Sequence, residues 1–494
     1  MYLIGYDIGS SSIKAALVDG ASGKTLGVAQ FPETEMDIIS RKQGWAEQQP
    51  ELWWENIGHA TKKLLEQTGA NKADIKGIGI SYQMHGLVLI DKEGHVLRPS
   101  IIWCDSRAVE IGNRAFDEIG ADRCLSHLLN SPGNFTASKL KWVKDNEPAI
   151  YEKIDKIMLP GDYIAYKLTG AARTTISGLS EGMFWDFEEN SVADFLLENY
   201  GVSHDLIPEI VPTFSDQGRL NGEAASFLGL NPGTVVGYRA GDQPNNAMSL
   251  NVLNPGEIAA TGGTSGVVYG VVDRPFIDKQ TRVNSFAHVN YTKEDPRIGV
   301  LLCVNGAGIQ YSWMRQMLAS DNVSYNDLER MVSTVEVNSD GLRIIPFGNG
   351  AERVLQNNDV GGHIVNIQFN RHSKAHFYRA ALEGIAYSFI YGVDVMKSLG
   401  LNTNVMRVGN DNLFQSAIFS TTIATILDCE IEMIETTGAV GAAKAAGIAA
   451  NIYGNTTEAF EDVNVIKTYQ SEGKREVYQS GYEIWKSDLE KILN

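Results

Sequence analysis

Cysteine is scarce in this chain and scattered. Its four residues among 494, Cys104, Cys124, Cys303 and Cys429, form no CxxC pair and no Cys/His spacing. Neither a disulfide framework nor a thiolate zinc site is indicated, and a reducing cytoplasm is the expected compartment. Basic charge is also short: 42 Lys and Arg against 60 Asp and Glu leave a formal charge of −18. That balance argues against nucleic acid or an anionic membrane as a partner, since either needs a basic face, so any anionic ligand must be held by local amides and a metal. Long apolar runs are missing, with no stretch approaching 18 residues, and Met1 leads almost directly into an apolar strand without the n- and h-regions of a signal peptide. The expectation is a protein neither exported nor membrane-spanning. The apolar fraction of 43% and charged fraction of 21% are those of a soluble globular protein. A chain of this length exceeds one compact core and suits two or three domains.

Two glycine-rich hairpins stand out. Tyr2–Lys14 reads YLIGYDIGSSSIK and Glu257–Gly270 reads EIAATGGTSGVVYG. Each has an apolar strand, a turn of Gly, Ser and Thr, and a second strand. In the first, Gly9, Ser10 and Ser11 turn the backbone with amides and hydroxyls outward, a cradle for phosphate oxygens, while Asp7 is placed to hold a divalent cation. In the second, Gly262, Gly263, Thr264, Ser265 and Gly266 repeat the design without the aspartate. Such hairpins often do no more than turn a chain, but a pair at this separation suggests two related halves with a nucleotide clamped between them. Short β-rich runs (Leu3–Asp7, Ile13–Asp19, Ile75–Ser81, Leu87–Asp91, Ile101–Trp103) alternate with helical stretches at Glu51–Gln67 and Thr136–Asn146, an α/β pattern. Further helices are expected at Ser373–Leu399, Asn412–Leu427 and Val440–Asn451, the last rich in small residues and suited to close packing on a sheet or nucleotide. Turn signals in SLNVLNPG place the domain boundary near residue 250, giving domains 1–250 and 251–494.

Three further segments carry candidate chemistry. Asp242 follows Gly241 in Tyr238–Asn246, YRAGDQPNN; it is either a base at a helix start facing a cleft or an ordinary helix cap. His85, in the turn Gln83-Met84-His85-Gly86 between two apolar runs, either hydrogen-bonds a ligand's hydroxyls or is a solvated surface histidine. Asp105 and Arg107 follow Ile101–Trp103 and either pair with each other or rim a pocket.

These residues resemble the FGGY carbohydrate kinases, whose two actin-like domains close around ATP and a sugar. Within that family the likeness runs most closely to the xylulokinases. Besides the hairpins it is carried by GWAEQQPELWW (Gly44–Trp54), SYQMHG (Ser81–Gly86), IIWCDSR (Ile101–Arg107), NFTASKLKWV (Asn134–Val143), LPGDYIAYKLTG (Leu159–Gly170), AGDQPNNA (Ala240–Ala247) and GAVGAAKAAG (Gly438–Gly447). The resemblance implies two actin-like (ribonuclease H-like) α/β domains with the nucleotide and sugar in the cleft between them. It further implies ATP-dependent phosphorylation of a ketopentose, D-xylulose to D-xylulose 5-phosphate, in the cytoplasm, with Mg²⁺ and a possible homodimer; another ketose or a polyol is the alternative, as is a non-catalytic sugar-responsive regulator. It makes Asp242 the catalytic base, Asp7 the metal-side carboxylate, and Met84, His85, Asp105, Arg107, Asp242 and Gln243 the sugar contacts. Gly9, Ser10, Ser11, Lys14, Gly263, Thr264, Ser265, Gly266, Gly409 and Asn412 then serve ATP. The chain departs from the family pattern at four places: RVGNDNLFQS (Arg407–Ser416) replaces a GGGA-like run and leaves Gly409 with Asn412 and Gln415 as the expected contacts. Gln243 stands where many xylulokinases have Asn; GAERVLQN (Gly350–Asn357) stands for a GERTP-like segment; and Asn366 replaces a Gly.

Overall fold

A computed structural model describes residues 1–318, 323–410 and 412–494, and its framework is two sheets of one design. In the first, strands β1 (Tyr2–Ile8), β2 (Ile13–Asp19), β3 (Thr25–Phe31), β4 (Ile75–Tyr82) and β5 (Val235–Gly241) lie in the order β3-β2-β1-β4-β5. The hairpin strands pair antiparallel, whereas β1, β4 and β5 run parallel. In the second, β6 (Glu257–Gly262), β7 (Gly266–Val272), β8 (Asn284–Ala287), β9 (Ile298–Val304), β10 (Val405–Gly409), β11 (Glu430–Ile434) and β12 (Val465–Tyr469) lie in the order β8-β9-β7-β6-β10-β11-β12. Its five central strands, β9-β7-β6-β10-β11, repeat the order and the mix of parallel and antiparallel pairing of the first sheet. The two related halves inferred from the hairpins are therefore visible as topology. β1 and β4 are almost wholly apolar, as strands covered on both faces must be.

Helices α1 (Pro50–Thr68), α2 (Thr136–Asn146), α3 (Ile176–Glu181) and α4 (Asp242–Ser249) belong to the first half of the chain. α5 (Gly308–Leu318), α6 (Tyr325–Val332), α7 (Lys374–Ser398), α8 (Ala417–Leu427), α9 (Gly438–Ala449) and α10 (Arg475–Leu493) belong to the second. The expected helix 412–427 is interrupted: Asn412–Gln415 forms a single 3₁₀ turn, and Ser416, whose hydroxyl accepts the N–H of Phe419 at 3.2 Å, caps α8. Packing does not respect a cut at residue 250. α9, which follows the fifth core strand of the second sheet, lies across β1, β2, β4 and β5 of the first, while α4, which follows the fifth strand of the first sheet, packs against β6 and β7 of the second. The close approach depends on missing side chains. A Cβ on Gly5 or Gly79 would stand 1.9 Å from the carbonyl oxygen of Ala439 or Ala442, and one on Gly441 would stand 1.7 Å from Ser249 Oγ. The small-residue helix is thus a sheet-packing helix that ties the halves together. Among the described residues no helix is long and apolar enough to cross a membrane.

Candidate active site

The site begins where three adjacent parallel strands end, the place an open α/β sheet offers to ligands. Asp7 is the penultimate residue of β1 and pairs in register with Ser81 on β4 and with Lys14 on β2. Ser81 Oγ donates to Asp7 Oδ1 at 2.9 Å. Burial raises the pKa of Asp7, while Ser81 and then Lys14 oppose the rise. Asp242 is the first residue of α4 and Gly241 is its cap, so the helix-capping alternative for Asp242 gives way to a carboxylate in the first turn. Gly241 has a steric reason to be glycine: a Cβ there would meet Met84 Cγ at 2.6 Å and Glu181 Oε1 at 3.2 Å. Met84, 4% exposed, accordingly packs beneath the start of α4. Burial, then the charges of Asp7 and Glu181, push Asp242 up to about 8, against the hydrogen bonds given by Gln243. An acid poised near neutrality by burial and two neighbouring carboxylates is suited to exchanging a proton or meeting a cation.

His85 stands in the left-handed region with φ 61°. Its backbone N–H donates to Glu181 Oε2 at 2.9 Å, and its Nδ1 lies 2.9 Å from the Glu181 carbonyl oxygen. Because a carbonyl only accepts, Nδ1 carries the hydrogen, with Glu181 Oε2 3.2 Å from the same nitrogen, which leaves Nε2 to hydrogen-bond a ligand. Phe135 meets the ring edge-on at 4.7 Å between centroids, and Phe286, from the second sheet, closes it at 5.5 Å. Lys139 Nζ, fully buried, donates to the carbonyls of His85 at 2.8 Å and Ile102 at 3.0 Å, and burial pulls it down to about 7 despite the opposing charge of Asp105.

Asp105 and Arg107 require a correction. Arg107 grips Asp105 through Nε and Nη2 at 2.6–3.0 Å, Ala46 N–H donates to Asp105 Oδ2 at 2.6 Å, and Arg107 Nη1 donates to Glu47 at 2.8 Å. The guanidinium also lies over Trp45 at 3.8 Å. With side chains 0% and 1% exposed, both are consumed by each other and by Glu47; they brace the loop carrying Trp103 instead of offering atoms to a sugar. Glu181, which organises His85 and faces Asp242, was not singled out in the sequence: its partners lie about 60 to 100 residues away and no local pattern marks it.

The first hairpin is closed by the Gly9 N–H donating to Ser12 at 3.1 Å. It is held from below by Gln48 Nε2 on the Ser10 carbonyl at 2.7 Å and by Met36 N–H on that of Ser11 at 2.8 Å. Lys14 shares the face of Asp7 across the hairpin. The second hairpin faces a cleft of about 620 Å³ whose wall includes Gly262, Gly263, Thr264, Gly308, Ser312, Glu329, Asn410 and Gln415. That is the size of a cofactor or nucleotide pocket. Ser265 and Gly266 complete the turn outside this wall, and Gly409 ends β10 one residue before Asn410. The side chain of Asn412 lies outside the described residues. Gly308, the first residue of α5, donates its N–H to the Gly263 carbonyl at 3.1 Å, so a helix start backs the hairpin. The Gly-Ala-Gly run before α5 is the signal that would have found it. Among the described residues no three His, Cys, Asp or Glu side chains form a cation cage.

Comparison with known proteins agrees with this geometry. Residues 2–249 match the model for the N-terminal domain of the FGGY family of carbohydrate kinases, and residues 258–450 match that for the C-terminal domain. The xylulose kinase of Staphylococcus xylosus is 28% identical over 98% of this chain and 99% of its own, and that of Bacillus subtilis is 29% identical over 85% and 84%. Among solved structures, a xyloylose kinase from Brucella ovis superposes with a TM-score of 0.89 at 25% identity, covering 100% of this chain and 99% of the other. A Plasmodium falciparum glycerol kinase with ADP shares the fold, with a TM-score of 0.88 at 19% identity over 100% and 98% of the two chains. Family models on both halves, together with the paired hairpins and the strand-end carboxylates, establish a sugar kinase that uses ATP: the chain belongs to the FGGY family of carbohydrate kinases.

Proposed function

We propose that the protein transfers the γ-phosphoryl group of ATP to a ketopentose, D-xylulose to D-xylulose 5-phosphate, with Asp242 as the base. The observation that carries the reading is the convergence of Asp7, His85 and Asp242 at the ends of three neighbouring strands, with His85 presenting its Nε2 from an aromatic box. The named relatives support the choice of sugar. Nucleotide binds in the cleft beside the second hairpin, and its terminal phosphates reach toward the first, where Lys14 and the turn amides supply donors. Asp242 takes the proton of the sugar hydroxyl as its oxygen bonds to phosphorus and the bond to ADP breaks. Mg²⁺ fits the remaining chemistry: the charge of Asp7 adds to burial in raising the proton affinity of Asp242, and Mg²⁺ characteristically takes one or two carboxylates plus phosphate oxygens. It would be held by Asp7 and would neutralise charge on the phosphates. Met84, beneath Gly241, and Gln243, beside Asp242, shape the sugar end of the pocket.

An ADP-release assay over D-xylulose, D-ribulose, other ketoses and glycerol tests the reading. D-xylulose should give the highest kcat/KM. A panel led by glycerol would overturn the choice of substrate class.

A further inference from the structure

Among the described residues the Arg353 side chain has no counter-ion. The buried arginines Arg98, Arg107, Arg239 and Arg379 each hold a carboxylate within 3.3 Å. The side chain of Arg353, half-buried, makes no hydrogen bond or ion pair among the described residues. It begins the single 3₁₀ turn Arg353–Leu355, whose other side chains, Val354 and Leu355, are buried in the core of the second half. A desolvated guanidinium without an anion is costly and is retained where an anion arrives with a ligand.

Its neighbours locate that anion. Glu352, fully buried, accepts the backbone N–H groups of Asn305 and Gly306, both at 2.9 Å, one on each carboxylate oxygen. Asn305 Nδ2 donates to the Ala351 carbonyl at 2.9 Å. Asn305 directly follows β9, where Val304 pairs with Gly266 and Cys303 with Val267 of the second hairpin. Arg353 is therefore pinned, through Glu352, to the strand end that carries the hairpin. The turn packs on β9, where burial raises the Cys303 thiol to about 11 and the charge of Arg353 opposes the rise; Cys303 shares its face of the second sheet with Phe286, the ring that closes on His85. On the reading above, the phosphoryl group crosses from nucleotide to sugar beside the second hairpin, the strand end to which Arg353 is pinned.

We propose that Arg353 is a catalytic residue that pairs with the phosphoryl group in transit and then with the sugar phosphate until it leaves. This deepens the reading above and rests on it. The bond from the γ-phosphorus to the ADP oxygen breaks, the bond from that phosphorus to the sugar oxygen forms, and the hydroxyl proton passes to Asp242. Arg353 holds a non-bridging oxygen throughout and gives up no proton.

The test compares Arg353→Gln and Arg353→Lys with the unaltered enzyme, measuring kcat, both KM values, and calorimetric affinities for D-xylulose and D-xylulose 5-phosphate, with melting temperature as the control for folding. Arg353→Gln should lower kcat by about 10²–10³-fold, the scale of losing a charge-stabilising donor. It should weaken the sugar phosphate by roughly 10–100-fold while leaving free sugar nearly unchanged. Arg353→Lys should recover part of both. If the Gln variant melts early, Arg353→Met, which keeps the apolar stem, takes its place. Near-normal kcat in a folded Gln or Met variant, or equal losses for sugar and sugar phosphate, would overturn the role of Arg353 with the kinase reading intact. An unaltered protein that phosphorylates no sugar would overturn the reading and this inference together.

Discussion

Asp242 draws its reactivity from its neighbours. Burial and then two carboxylates raise its proton affinity, and a base with a pKa near the working pH removes a hydroxyl proton more effectively than an ordinary aspartate. Asp242→Asn keeps size and most hydrogen bonds but cannot accept the proton, so kcat should fall by roughly 10²–10⁴ with little change in sugar affinity. The same shift has a consequence for folding. A carboxyl raised from 3.8 to about 8 holds its proton more tightly folded than unfolded, so the stabilisation is fully present below pH 3.8 and is lost as the pH rises through about 8. Thermal melting without ligands should therefore show Asp242→Asn gaining on the unaltered protein as the pH rises from 4 toward about 8 and levelling off above it; parallel curves would refute the raised proton affinity of Asp242. His85 tests the other end of the site. His85→Ala removes the Nε2 hydrogen bond and should weaken sugar use by about 1–3 kcal/mol while nucleotide affinity holds, whereas equal losses would reassign the ring to structural support of Phe135 and Phe286.

At the level of elements, much of the site was legible because it is local. A hairpin turn, a glycine before an aspartate at a strand end and a QMHG turn each lie within a few residues, and each sits where its spacing indicated. Asn366 fits the same logic: it replaces the family's glycine yet adopts φ 60°, a conformation asparagine tolerates, and its Nδ2 donates to Gly341 at 2.9 Å. Illegible were the residues whose partners are remote. Glu181 meets His85 across 96 positions and Glu352 meets Asn305 across 47. Asp105 and Arg107 were visible, but nothing local revealed that Ala46 and Glu47 complete the pair. The placement of α9 on the first sheet was equally hidden, because a small-residue pattern shows that a helix packs closely without showing on what. That packing makes a sharp prediction. Gly79→Ala pushes a Cβ to 1.9 Å from the Ala442 carbonyl, and backbone atoms cannot rotate away, so urea denaturation should show a loss of at least about 1–3 kcal/mol. Gly229→Ala, with open space but φ 69°, is the control: it carries only the strain of a left-handed alanine.

Across the whole molecule, the arrangement of cross-links decides which motion is open to it. α4 and α9 cross between the sheets, with Asn245 Nδ2 donating to Gly438 at 3.0 Å, and form a tight pivot. A second set of bonds ties the first half to edge strand β8: Asn130 Oδ1 accepts Ser285 N–H at 3.0 Å, Ser177 Oγ donates to Ala287 at 3.0 Å, and Ser180 Oγ accepts Ala287 N–H at 3.0 Å. These contacts sit beside Phe286, the residue that closes on His85, so they hold the sugar end together. The two hairpins belong to different sheets, so the expected motion is a swing at the nucleotide end that would bring the second hairpin and its nucleotide to Asp7 and Asp242 and expel water from the reacting atoms. Small-angle scattering should give a smaller radius of gyration with sugar and a non-hydrolysable nucleotide together than with sugar alone, because sugar contacts the end already tied and nucleotide spans the end that moves. A radius unchanged by the pair of ligands would mean that the cleft is preformed and that closure does not gate the reaction.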